Sequence, residues 1–216
     1  MKRTDHDGRA FAGSQRQIQS YVNRRAEDLS SAVLAVLGPL PLGAQLVWVS
    51  PLERHGFAEY RDAAFLERTG CADCWPKLAE FWPRGGPSWD ALAKLTWPGG
   101  SGVVLVEAKS HVREIGGVGC NATPLAREHI TRSLAATKRW LGISDDSDWL
   151  GPLYQSANRL AHLYFLREIS GVPAWLVNIY FLDDPHSPTD IDAWRAGLEG
   201  VKGELGCGKR VLPLSD

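Results

Sequence analysis

Several features that would narrow the class of this chain are scarce or missing. Only four of the 216 residues are cysteine. Cys71, Cys74, Cys120 and Cys207 are too few and too scattered to staple a disulfide scaffold. Cys71 and Cys74 form a lone CxxC, and the isolated Cys120 and Cys207 do not complete a zinc set, so buried thiols are the expectation. No apolar run approaches the roughly 18 residues of a membrane span. The opening Met1-Lys2-Arg3-Thr4-Asp5-His6-Asp7 lacks the apolar stretch of a secretory signal. A reduced, cytoplasmic setting without membrane contact is therefore expected. Neither sign of charge dominates, with 24 Lys and Arg against 25 Asp and Glu. A polyanionic partner is neither favoured nor excluded by that balance, because local charge decides it. Internal repeats and low-complexity tracts are absent.

What is present suits one globular domain. Hydrophobic residues make up 44%, and nine tryptophans spread along the chain supply core and groove material. Residues 1–13 are polar and read as a flexible N-terminal arm, with 14–216 as a single domain. Ile18, Val22, Ala26, Leu29, Val33 and Val36 recur at spacings of three and four, which predicts one long amphipathic helix up to Gly38-Pro39. Gln45–Ser50 reads as a buried strand ended by Pro51. Helices are predicted over 57–68 and 75–81, then a hairpin around Pro98-Gly99. Thr123-Pro124 opens a helix to about Leu141, another runs over 153–169, and residues 174–182 form a second buried strand. A short helix over 191–201 precedes a Gly-rich end. This order implies an α/β fold with a mixed central sheet flanked by helices.

The chemistry concentrates in the hairpin. Val103-Val104-Leu105-Val106 is a continuous apolar run, the mark of a strand covered on both faces, yet it leads directly into Glu107 and Lys109. Alternation along a strand puts these two on one face and turns Ala108 to the other. A two-residue turn at Pro98-Gly99 would set Asp90 opposite Glu107; a loop from Pro98 to Ser101 would set it opposite Lys109. Either register gathers two carboxylates and an amine at one end of a sheet. Two close carboxylates repel unless a cation or a proton lies between them, and a hard, oxygen-seeking ion such as Mg²⁺ suits the pair.

Asp90 followed by Glu107-Ala108-Lys109 on the far strand of a hairpin resembles the PD-(D/E)xK nuclease superfamily. The proline position of that motif is not kept, since Trp89 precedes Asp90 and Pro87 lies two residues further back. The wider phrase from Phe81 to Ala93, leading into Leu105 to Lys109, looks like uncharacterised bacterial members of the superfamily. The resemblance implies a restriction-endonuclease-like core over about residues 14–182, in the order helix, strand, hairpin, helix, strand. It implies Mg²⁺, replaceable by Mn²⁺, held by Asp90, Glu107 and the carbonyl of Ala108, with Lys109 acting on the attacking water or the phosphate. The substrate class would be nucleic acid, DNA first, and pairing of two copies is compatible with the family. A further acid would come from Glu27 or Glu59, and a polar residue from the later helix, where Gln155, Asn158 and Arg159 share one side. The competing expectation is an inactive protein of the same fold that binds nucleic acid or protein. In that case Asp90, Glu107 and Lys109 form a structural ion cluster.

Other motifs carry less. Basic residues cluster at Arg16, Arg24 and Arg25, and again at Arg127, His129, Arg132, Lys138 and Arg139, where a solvated helix face competes with phosphate contact. His111 follows Lys109 by two and is expected to be half-buried beside it. Gly203 to Arg210 misses the Ser/Thr of a phosphate-binding loop and has no buried strand before it, so it is set aside.

Overall fold

The computed structural model describes residues 4–144 and 146–206. Cys207 and the last part of the Gly203–Arg210 motif fall outside them. Four strands, β1 (Gln45–Ser50), β2 (Ala91–Trp97), β3 (Gly100–Lys109) and β4 (Ala174–Tyr180), form one mixed sheet in that order. The first three are joined antiparallel, and β4 runs parallel to β3.

The apolar run of β3 is explained by cover on both faces. Val103 and Leu105 pack with Ile130 and Leu134 of α5 (Pro124–Leu141) and with Ala157 and Ala161 of α6 (Tyr154–Tyr164). Val104, Val106 and Ala108 face the opposite way, onto Ile18 and Val22 of α1 (Gly13–Arg24) and Leu29 and Val33 of α2 (Ala26–Val36). The sheet therefore separates two cores, and β3 belongs to both.

The hairpin register is settled by its turn. Trp97 pairs with Gly100, leaving Pro98-Gly99 as a two-residue connection, and Gly99 takes φ 87°, a conformation glycine adopts without steric cost. Pairing then runs down to Ala91↔Val106, and Asp90 and Glu107 lie one step beyond its end. Of the two registers open to the sequence, this is the first.

The structure departs from the expected elements at two places. The single helix expected over residues 14–36 is broken at Arg25, which takes φ −135° and ψ 38°. Its guanidinium lies 4.8 Å from the centre of the Tyr21 ring and donates to Asp28 at 2.9 Å. On either side of the break, α1 packs on β3 and α2 on β1. The helix expected over 57–68 begins only with α3 (Asp62–Thr69). Upstream of it Phe57 takes φ 55°, and Tyr60 pairs in extended form with Trp89.

The remaining helices, α4 (Trp75–Phe81) and α7 (Ile191–Glu204), lie where periodicity puts them, and α6 continues as a π-helix over Phe165–Ile169. Within the expected N-terminal arm, Ala10 is 3% exposed and donates its N–H to Gln19 Oε1 at 2.8 Å, so this part of the arm is held against α1. Among the described residues no helix is long and apolar enough to cross a membrane.

Candidate functional site

The site forms where β3 and β4 end together at their carboxyl edge, the region where open α/β sheets offer a crevice. Lys109 is the last residue of β3, and Phe181, just past β4, donates its N–H to the Lys109 carbonyl at 2.9 Å. Glu107 and Lys109 sit on the face covered by α6, as alternation requires. The Lys109 ammonium donates to Glu107 Oε1 and to Gln155 Oε1, the latter at 3.1 Å. Arg159, one turn further along α6, donates from Nε to Glu107 Oε2 at 2.7 Å. Both oxygens of Glu107 therefore meet cations, and its side chain is only 6% exposed.

Asp90 enters from just before β2. Val103 N–H and the Lys109 carbonyl both bond toward the β4 side, so odd-numbered residues of β3 turn their backbone groups that way. Ala108 turns its own toward the β2 side, and β2 has already ended at Ala91. The Asp90 carboxylate takes the missing strand's place, accepting the Ala108 N–H at Oδ2, 2.7 Å away. Burial pushes the Asp90 carboxyl up to about 7, the Glu107 charge adds to that rise, and the Ala108 N–H opposes it.

Glu59 is the third acid. The extended stretch before α3 brings it to the site, where Gln15 of α1 donates to its Oε1 at 3.0 Å. Burial raises its carboxyl above the ordinary range, and the Glu107 charge pushes the same way while Gln15 and Arg159 hold it down. Tyr180, paired with Lys109 across β3 and β4, is pushed up to about 12 by burial and by Glu107, so it stays a neutral phenol.

The sequence-derived residues separate clearly. Asp90, Glu107, Lys109 and Gln155 meet. Glu59 joins them, whereas Glu27 is exposed on α2 and lines a groove with Gln45 and Leu46 of β1. Asn158 accepts from Arg159 Nη1 at 2.8 Å and is buried. His111 leaves Lys109 and pairs with Glu114 at 3.2 Å. The second basic cluster is largely spent on internal contacts: Arg127 donates to the Cys120 carbonyl, His129 meets the Glu80 carbonyl, and Lys138 lies over Trp149. Arg132 and Arg139 remain exposed. Of the thiols expected to be buried, Cys120 is, whereas Cys71 and Cys74 are partly exposed free thiols.

Gln15, Ser88 and Arg159's full set of contacts escape a reading of the sequence. Nothing local to 57–61 announces an extended segment either, since that stretch has neither proline nor an internal glycine.

As a donor set the site is three carboxylates with hard oxygens, and in two of them, Glu59 and Asp90, the charge of Glu107 adds to burial in raising proton affinity. Burial is the first cause of both rises, and carboxylate oxygens are donors of the kind a small divalent cation takes. Among the described residues, the only three His, Cys, Asp or Glu side chains with ligand atoms all within 4.8 Å of one another are Asp5, His6 and Asp7, and His6 and Asp7 are exposed. No family model, no curated protein and no solved structure matches this chain.

Proposed function

We propose that the protein is a Mg²⁺-dependent nuclease of the restriction-endonuclease-like, PD-(D/E)xK kind, hydrolysing phosphodiester bonds in nucleic acid, DNA first. The observation that carries this reading is that the end of β3 gathers Glu107 and Lys109, which pair, and Asp90, which accepts the Ala108 N–H between them. The order helix, strand, hairpin, helix, strand around that site supports it.

Asp90 and Glu107 would hold the ion, Mg²⁺ or Mn²⁺, with the Ala108 carbonyl turned to the same side as Asp90. When bound, such an ion activates water near neutral pH and neutralises charge on the phosphate. Lys109 is held between Glu107 and Gln155, which fixes its ammonium at the strand end where a phosphate would approach. From there it orients the nucleophile or stabilises the developing negative charge. Glu59, whose carboxyl burial raises above the ordinary range, is a further group that could accept a proton from water. Tyr180 offers a neutral hydroxyl as a hydrogen-bond donor. Two copies of the chain would be needed to cut both strands of a duplex in one encounter.

One observation favours a second reading. Both Glu107 oxygens already engage cations, which also describes a closed structural ion cluster in a non-cleaving protein of the same fold that binds nucleic acid or protein. Calorimetric titration with Mn²⁺ separates the two: the wild type should bind and Asp90→Asn should not. Absence of binding to the wild type would remove the nuclease reading. Lys109→Ala should still bind Mn²⁺ but cleave single- and double-stranded DNA about 10²- to 10⁴-fold more slowly. Cleavage at the wild-type rate would take lysine out of the mechanism.

A further inference from the structure

We propose that Arg159 is a positioning residue that sets the spacing of Asp90 and Glu107 for the cation, an inference that rests on the metal-site reading above. Backbone pairing does not set that spacing, because the β2–β3 ladder ends at Ala91↔Val106, one step short of both acids. Two side-chain links cross the gap instead. One is the bond from Ala108 N–H to Asp90. The other is Arg159, whose Nε donates to Glu107 Oε2 at 2.7 Å and whose Nη2 donates to the Ser88 carbonyl at 3.0 Å, two residues before Asp90. A single guanidinium thus ties the end of β3 to the segment that carries Asp90.

Its own orientation is determined on every side. Nη1 donates to Asn158 Oδ1 at 2.8 Å, and the guanidinium carbon lies 5.1 Å from the centre of the Trp89 ring. The Arg159 side chain is 7% exposed, and α6 beneath it packs on α5 and β4. All three nitrogens donate and the cation lies against an aromatic ring, so the fork has one seat. Lysine has the charge but no planar fork, and it could not hold the Glu107 carboxylate and the Ser88 carbonyl at once in this geometry. A small divalent ion tolerates little error in its oxygen ligands, so a carboxylate free to rotate would lose the ion.

Charge and geometry make opposite predictions here. A positive guanidinium beside Glu107 repels a cation, so on electrostatics alone its removal would tighten binding. Positioning requires that removal weaken it. The test is Mn²⁺ titration by calorimetry on the full chain as wild type, Arg159→Lys and Arg159→Met, with thermal melts followed by circular dichroism. Both variants should bind Mn²⁺ about tenfold more weakly or worse, as loss of an outer partner of a metal ligand does, while still melting cooperatively. Affinity equal to or tighter than that of the wild type in a folded variant would overturn the proposal. Should both variants fail to fold, the wild type still decides: its Arg159 Nε–H resonance should shift in step with added Mg²⁺, and saturable binding that leaves that signal unmoved refutes the role. A wild type that binds no Mn²⁺ refutes the metal site itself, which is a distinguishable result.

Discussion

Replacing Asp90 by Asn should stabilise the folded protein at alkaline pH while abolishing cation binding. In the folded state burial and the Glu107 charge raise the Asp90 carboxyl from 3.8 to about 7. The folded protein therefore binds that proton more tightly than the unfolded chain does. Stability contributed by Asp90 is full below about pH 4 and is lost as pH rises through 7. Each pH unit is worth about 1.4 kcal/mol, so the full rise corresponds to roughly 4 kcal/mol, and water reaching the half-buried carboxyl should reduce the observed loss to about 2 kcal/mol. Asn keeps an oxygen that can accept the Ala108 N–H and carries no charge, so it should mimic the protonated acid at every pH. Urea denaturation of both proteins at pH 5 and pH 8, without divalent ions, measures the difference. The difference is needed because His162 works in the opposite direction: burial lowers it to about 4, so its contribution is full above its ordinary 6.5 and is lost as pH falls toward 4. That contribution is common to both proteins and cancels. The range from pH 5 to pH 8 covers only about three fifths of that loss, so the Asp90→Asn variant should gain about 1 kcal/mol relative to wild type over it, and saturating Mg²⁺ at pH 8 should stabilise only the wild type. A gap that is unchanged between the two pH values, or that reverses, would refute the argument that Asp90 is held against its ionised form.

Two further outcomes follow from packing and buried charge. Glu107→Ala leaves the Arg159 guanidinium, 7% exposed, without its carboxylate and should cost about 3–5 kcal/mol in urea denaturation. The pair Glu107→Leu with Arg159→Met should recover much of that loss, and a double variant no more stable than Glu107→Ala would contradict the charge argument. Gly102→Ala puts a Cβ 2.6 Å from the Pro173 carbonyl oxygen and 2.6 Å from the Trp175 ring, so β3 and β4 must part locally. A cost of about 2 kcal/mol is expected, and a loss within about 0.5 kcal/mol would mean the strands adjust freely.

How much of this was legible in the sequence depended on whether the signal was local. The hairpin was, because Pro98-Gly99 punctuates two β-compatible runs and alternation then dictates which face Glu107 and Lys109 share. The apolar run of β3 foretold cover on both faces, which the two cores provide. The break at Arg25 was not legible. Every residue from Ser14 to Val36 tolerates a helix, so nothing local marks where α1 ends and α2 begins. The stretch 57–61 misleads for the same reason: its apolar spacing fits a helix, but Tyr60 finds a strand partner in Trp89, 29 positions further along the chain.

The site divides along the same line. Asp90, Glu107 and Lys109 are near neighbours through one hairpin, so two periodicities and a turn suffice to bring them together. Gln155 and Arg159 share a helix side by spacing alone, but whether that side meets the carboxylates depends on how α6 docks on the sheet. Glu59 and Glu27 look alike in sequence, since each is an acid next to an apolar position. Tertiary placement separates them, sending one to the carboxylate cluster and the other to the groove beside β1. A charge whose role depends on partners far along the chain leaves no mark in its own surroundings. What a sequence can still register is the oddity of the expense: a strand otherwise buried on both faces ends in an acid and a lysine, and such groups are costly to bury unless their partners are already in place. Here the partners arrive from three other segments, α6, the approach to β2 and the stretch before α3. That convergence is what makes the strand end a candidate for chemistry and not only for stability.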